Sequence, residues 1–408
     1  MQKQFTLLFL LLTVAIDAIG IGIIFPVMPD LMRQVTHADL ATAALWGGVL
    51  ATSFAVMQFL FGPMVGNLSD AYGRRPVLLV ALAVMAVDYA VMALAPNVWV
   101  LLVGRIVAGI AAATYATANA YLADITAPSD RGRVFGYLGA AFGIGFIVGP
   151  LIGGVAGTFG VRAPFAIAAL LSAANLALGT VTLRESLPAE LRRPFQLARA
   201  NPLVALRAIR HLPGMGRYLA ISAIWVLAYQ SYTSVWAFYG TERFGWNAWW
   251  NGMALAAYGL GFTLVLALLV GPAIKAWGER RTAIVGMVLD ILAFVAYGFL
   301  TSGFWAMVVT PLAALGGIGG PALQALMTNA TPADQQGELQ GVQASVSALA
   351  AGVSPMVMTF VFYSFTRPGA PIYAPGAPFL LGAALMAVAL AVLLAGRGTL
   401  ALRAPAAD

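Results

Sequence analysis

Twelve times along this chain, about twenty consecutive residues pass with almost no charge, the length that a helix needs to cross the roughly 30 Å hydrocarbon core of a bilayer. No water is available there to satisfy backbone N–H and C=O groups, so only helices and closed barrels can span it. These runs are continuously apolar rather than alternating, which excludes a β-barrel. They lie near residues 5–29, 45–67, 77–95, 98–122, 132–157 and 163–183, and again near 217–239, 249–272, 282–301, 304–327, 338–362 and 378–395. The expected fold class is an all-α membrane protein with twelve transmembrane helices in two six-helix bundles, at 1–183 and 217–408. A polar linker, 184–216, joins them. The first run follows Lys3 but contains Asp17 and ends at Pro26 and Pro29 without a small-residue cleavage pattern, so it is read as a retained helix.

Charged residues make up 9% of the 408, against about 25% in soluble globular proteins, and a soluble fold is excluded. With no cysteine and only two histidines, His37 and His211, the chain has no disulfide, thiolate nucleophile or multi-histidine metal site. Both histidines are expected in solvated loops. No cofactor and no metal site are expected. Of the 22 Lys and Arg, 17 fall in loops on one side, Arg33, Arg162, Arg243 and Arg367 fall on the other, and Arg105 lies inside a span. Basic residues collect on the cytoplasmic side, which places both termini in the cytoplasm. It also explains the net charge of +7 without a nucleic-acid partner.

Gly66, Gly73 and Arg75 recur as Gly271, Gly278 and Arg280 at one constant offset of 205 residues. Repeats of this kind point to a transporter with its site near the midplane between two related halves. The loop Gly66-Asn67-Leu68-Ser69-Asp70-Ala71-Tyr72-Gly73-Arg74-Arg75-Pro76 resembles the signature loop of the major facilitator superfamily, though Ala71 stands where that family usually has a basic residue. Gly66 and Gly73 allow close approach and a tight turn, and Asp70 is expected against a positive helix N-terminus. Arg74 is expected to pair with Asp124 at the inner end of span four, giving a charge cluster that holds one state of a rocking transporter. In span five, Gly145, Gly149, Pro150, Gly153 and Gly154 look like the motif of the antiporter branches, with glycines for close packing and a proline for a bend.

Ionisable groups inside the bilayer cost several kcal/mol and are usually paired or functional. Asp17, Asp88, Arg105 and Asp290 all lie well within apolar runs. Arg105 can neutralise one aspartate as a fixed ion pair but not three. A carboxylate facing a cavity that opens and closes takes up a proton in one state and releases it in the other, which is the chemistry of proton coupling. Polar and aromatic residues that suit a solute path include Gln58, Thr114, Tyr115, Asn119, Gln230, Tyr232, Tyr258, Gln324 and Gln343.

Over nearly its whole length the chain is similar to the tetracycline/proton antiporters. The matching stretches are Asp17 to Gly22 with Pro26-Val27-Met28-Pro29, Gln58-Phe59-Leu60, Asp88-Tyr89, Gly104-Arg105, Arg243 to Trp246 and Gly337 to Gly341. The resemblance implies the major facilitator fold and proton-coupled export of a tetracycline-like amphipathic drug across the bacterial inner membrane, by a protein that works as a monomer. It implies proton-coupling roles for Asp17, Asp88, Arg105 and Asp290, cavity roles for Gln58 and Gln230, and a substrate that arrives as a divalent-metal chelate. Phe262 and Leu266 depart from it, standing where the family has a histidine and a glutamine on one polar face of span eight, and they are assigned to the cavity wall. An antiporter of another drug or metabolite is therefore an alternative. A receptor derived from a transporter is another, disfavoured because no soluble signalling domain is present, and a membrane enzyme a third, disfavoured because the intramembrane polar residues make no nucleophile and base set.

Overall fold

Eleven of the expected runs form helices long and apolar enough to cross a membrane in the computed structural model, which describes residues 2–196, 201, 209, 212 and 214–396. Span one is Gln2–Thr36, span two Leu40–Tyr72, span three Arg74–Leu94, span five Arg131–Gly157 and span six Ala163–Thr182. Span eight is Ala248–Leu268, span eleven Gln336–Thr366 and span twelve Ala377–Ala395. Span nine is the part of Val270–Phe299 that follows Gly278, where the backbone turns. No strand occurs among the described residues. Arg199, Arg207, Arg210, His211, Arg397 and Arg403 lie outside the described residues, and with them much of the linker. His37 lies in the loop after span one, as expected.

Three spans that read as continuous in sequence are broken. Span four consists of Val98–Ala111 and Thr114–Ile125, span seven of Gly216–Ser234 and Trp236–Phe244, and span ten of Gly303–Ala313 and Gly319–Asn329 around a 3₁₀ turn, Ala314–Ile318. Span seven is not among the eleven because the polar stretch Tyr229 to Ser234 lowers its hydropathy, and its two pieces on either side of Val235 together make the twelfth crossing. Helix ends are set by side chains. Asp39, Asn97 and Asn247 accept hydrogen bonds from the first free amides of spans two, four and eight, satisfying donors that a helix start leaves unpaired.

Small residues set the packing. The backbone of span five lies directly against that of span one, with Gly149 over Ile19 and Gly22, and Gly153 over Ile23. Pro150 and Gly154 continue the contact onto Gly252 and Trp249 of span eight, joining the first six spans to the last six. A second seam runs between spans two and eleven, where Gly48 receives Thr359 and the Met356 amide donates to Thr52 Oγ1 at 3.1 Å. Both seams lie at the end opposite the arginine-rich loops. Towards the arginine-rich end the spans part: Gly132, Gly136, Gly139 and Gly143 of span five, and Gly62 and Gly66 of span two, have open space where a side chain would be. The chain is thus held in a state closed at one end and open at the basic end.

Candidate functional site

The break in span seven borders a cavity of about 340 Å³ between the two seams, lined by residues from both halves, and the break in span four borders the space next to it. Freed backbone carbonyls at such breaks need partners, and Gln58 supplies one, its Nε2 donating to Ala112 O at 3.2 Å. Across the cavity Gln230, Thr233, Ser234 and Trp236 flank the break at Val235. Most of the remaining wall is apolar or aromatic: Phe25, Phe54, Phe146, Phe238, Leu50 and Leu255 among others. Gln58 also opens into a second space of about 690 Å³ that leads past Gly62 and Gly66 to Arg74 at the basic end.

Arg105 borders the cavity and is buried together with Asp88, with which it forms an ion pair. Its Nε donates to Asp88 Oδ1 at 3.3 Å, and its guanidinium carbon lies 5.1 Å from the centre of the Phe54 ring. Tyr89, also on the cavity wall, is fully buried with its hydroxyl unpartnered. That hydroxyl points at Gly20, one helical turn from Asp17. Asp17 is half-buried and has neither ion pair nor hydrogen bond within the described residues.

The third intramembrane aspartate is held differently. Asp290 Oδ1 accepts a hydrogen bond of 2.8 Å from the Tyr229 hydroxyl, while Oδ2 is buried without a partner. Gly316, in the 3₁₀ turn of span ten, leaves the space that the carboxylate occupies. Around it stack Trp225 with Tyr229, Tyr232 with Tyr258 and Tyr258 with Phe262, the last pair 6.0 Å apart. Phe262 packs on Gly317. Tyr258 and Phe262 belong to this neighbourhood rather than to the central cavity wall, because the face of span eight that carries them turns towards span ten; Leu266 is exposed and lies outside that wall as well. Tyr115 stacks edge-on against Phe142, Asn119 donates back to Tyr115 O, and Gln343 pairs with Gln324. Of the residues assigned to the solute path, Gln58, Gln230 and Tyr232 line the cavity.

At the basic end the charge cluster forms around Arg74, which bonds both Asp70, four residues earlier, and Asp124, at 3.2 Å. Asp70 does not sit against a helix N-terminus. It occupies the last turn of span two, and its place at the start of span three is taken by Glu185, which accepts from the Arg74 amide at 2.8 Å and the Arg75 amide at 3.3 Å. Gly73, at φ 108°, brings these amides under the carboxylate, and any side chain there would collide with it. Ser186 adds a 3.0 Å bond to Asp124, and the Arg193 amide donates to Asp70 O at 3.1 Å. Glu185, Ser186 and Tyr229 were not singled out from sequence, and Tyr89 entered only beside Asp88 in a stretch that carries the resemblance. Glu185 carries a signal, being the first acid after span six; Tyr229 carries none beyond its place inside an apolar run.

Two halves of broken helices around a shared cavity, closed at one end and carrying unpaired carboxylates within the membrane segments, define a multi-pass membrane transporter. Residues 10–355 match the Major Facilitator Superfamily, and the chain is 40% identical to the class C tetracycline resistance protein of Escherichia coli over 97% of its own length and 98% of that protein's. It belongs to the tetracycline resistance branch of that superfamily. It is also 36% identical to the class B protein of Escherichia coli, over 86% of this chain and 87% of the other. The solved nucleoside transporter NupG shares the fold with a TM-score of 0.76 at 14% identity, covering 97% of this chain and 98% of that one.

Proposed function

We propose that this protein is a proton-coupled antiporter of the bacterial inner membrane that exports tetracycline-like amphipathic drugs, with its arginine-rich end and both termini in the cytoplasm. The observation that carries the reading is the presence of two intramembrane carboxylates, Asp17 and Asp290, without a cation beside them. Each flanks the moving parts: Asp17 lies on span one, against which span five is zipped, and Asp290 lies against the broken span ten. An anion in such a place is costly, so a proton arriving from one side and leaving to the other changes which packing of the halves is favoured. The cavity then opens alternately to the two faces. In this state the 690 Å³ vestibule offers the drug an entry from the cytoplasm. Arg74, Asp70 and Asp124 hold the basic end of the first half together as it rocks. The work is transport rather than catalysis, it uses no resident cofactor, and one copy of the chain contains both the cavity and the carboxylates.

Everted membrane vesicles from an efflux-deficient bacterium test the proposal. Energised vesicles accumulate tetracycline above equilibrium, and an uncoupler releases it. Accumulation that survives the uncoupler, or that never exceeds equilibrium, rejects proton-coupled export. Phe262 and Leu266, apolar where the resemblance to the tetracycline/proton antiporters implies a histidine and a glutamine, favour a second reading in which another amphipathic drug is exported better than tetracycline by the same cycle.

A further inference from the structure

Tyr89 is wholly buried, its hydroxyl has no hydrogen-bond partner, and its ring forms part of the central cavity wall. A buried hydroxyl left unpaired loses its hydration and gains nothing for it. This one lies where a side chain on Gly20 would be, 2.6 Å from the place of its first carbon. Side chains on a helix lean towards its N-terminus, so that place overlies the preceding turn, which carries Asp17. The Asp17 carboxylate is near enough to act on the hydroxyl electrostatically, yet no hydrogen bond joins them.

The second half holds the same two side chains in exchanged places. Asp17 is on span one and Tyr89 on span three, the first and third of their half; Tyr229 is on span seven and Asp290 on span nine, the first and third of theirs. Tyr229 donates to Asp290 at 2.8 Å. With the basic end open, therefore, one tyrosine–carboxylate bond is made and the other is not. Tyr232 and Tyr258 also have buried hydroxyls without partners, but they belong to the stack around Asp290, which already has its donor.

No other titratable group is placed to take the role of Tyr89. Spans five and six bring none to this depth of the membrane. Asp88 and Arg105 of spans three and four are engaged with each other, Tyr115 of span four stacks on Phe142, and Tyr258 of span eight stacks on Tyr232. Asp70 and Tyr72 of span two, and Tyr239, Glu242 and Arg243 of span seven, lie at the two ends of the molecule.

Resting on the proton-coupled export proposed above, we infer that Tyr89 is the positioning residue for Asp17: its hydroxyl moves onto the carboxylate as Asp17 gives up its proton, and leaves it when the proton returns. The phenol keeps its own proton throughout, and the proton lost from Asp17 goes to solvent. A hydrogen bond to the charged form of an acid favours that form, so the hydroxyl eases the ionisation of Asp17 within the membrane. The unmade bond belongs to an Asp17 that still carries its proton. Because the same ring is part of the cavity wall and Asp17 is not, Tyr89 also ties the carboxylate to whatever fills the cavity.

Infrared titration of the purified protein reconstituted in lipid, with no ion gradient, tests this. The carboxyl band that Asp17→Asn removes reports Asp17, and the one that Asp290→Asn removes reports Asp290. Tyr89→Phe, which deletes only the hydroxyl, is expected to make Asp17 hold its proton about tenfold more tightly, moving its band about one pH unit higher and leaving the Asp290 band in place. Tyr229→Phe should do the converse. Thermal unfolding gives a second reading. Tyr89→Phe should raise the unfolding temperature below the Asp17 titration, where the hydroxyl is unpaired, and lower it above, where the bond to the anion is lost. Combined with Asp17→Asn, its effect should be the same at every pH. An Asp17 band that Tyr89→Phe does not move, the absence of any titrating band lost in Asp17→Asn, or a stability change of one sign at all pH values overturns the inference. Vesicles that fail to accumulate drug reject the export reading and leave the titration standing; an unmoved band rejects the role of Tyr89 and leaves accumulation standing.

Discussion

Arg74 donates to Asp124 at 3.2 Å across the basic end of the first half, and the residues 205 positions further on, Glu279 and Asn329, are bonded to each other at 3.1 Å. The match extends outward. Arg75 donates to the Thr180 carbonyl at the end of span six, and Arg280 to the Leu393 carbonyl at the end of span twelve. Gly73 and Gly278 both turn the chain with positive φ, 108° and 74°. Each half thus repeats one fastening, and among the described residues only the first makes it with an ion pair and a carboxylate cap from Glu185. The second, held by a neutral amide, is the weaker.

That asymmetry predicts the effect of Asn329→Asp. Two carboxylates facing each other where an amide donated a bond should loosen spans nine and ten at their basic ends. Thermal unfolding in detergent should fall by a few degrees, in keeping with a loss of about 1 kcal/mol for one exposed hydrogen bond, and Glu279→Gln in the same protein should restore it.

Asp70→Asn removes one of the two anions held by Arg74. The cluster lies away from the cavity, so maximal transport rate in everted vesicles should drop about tenfold, on the order of 1.4 kcal/mol in the barrier, with KM within twofold. A large rise in KM at normal rate would place Asp70 at the drug site.

Glu185 stands in for the charge that a helix N-terminus attracts, and Glu185→Gln should cost about 1 kcal/mol or less of stability at low salt. Because the side chain is exposed, the difference from the unaltered protein should shrink in high salt. An effect independent of salt would show that the bond geometry, not the charge, matters.

For the intramembrane aspartates, Asp17→Asn and Asp290→Asn are each expected to abolish uphill accumulation in everted vesicles while leaving unfolding temperature nearly unchanged. Tyr229→Phe, which deletes the one bond that orients Asp290, should lower transport at neutral pH and shift the pH profile without abolishing transport. Full uphill transport by both Asn variants would remove these residues from proton coupling.

Arg105→Gln alone strands the buried Asp88 carboxylate, and removing one partner of a buried pair costs roughly 3–5 kcal/mol. The double variant with Asp88→Asn should regain most of that stability, as read by thermal unfolding. No recovery in the double variant would show that the two side chains are not coupled as the ion pair implies.

The sequence by itself determined the membrane class, the position of nearly every span and the residues worth watching, because the cost of placing charge in hydrocarbon is paid locally. A run of twenty apolar residues, an aspartate within it, or a glycine spacing means the same thing wherever the rest of the chain lies. It also marked the 205-residue repeat and the pairing of Arg74 with Asp124. What only the tertiary structure decided depends on orientation about helix axes and on contacts between distant segments. That Arg105 pairs with Asp88 and leaves Asp17 and Asp290 alone, that Glu185 rather than Asp70 caps span three, and that Phe262 faces Gly317 instead of the cavity are all facts of this kind. So are the breaks at Ala112, Val235 and Ala314: these apolar residues are ordinary within a helix, and at Ala112 the freed carbonyl is satisfied by a residue far away in the chain, Gln58.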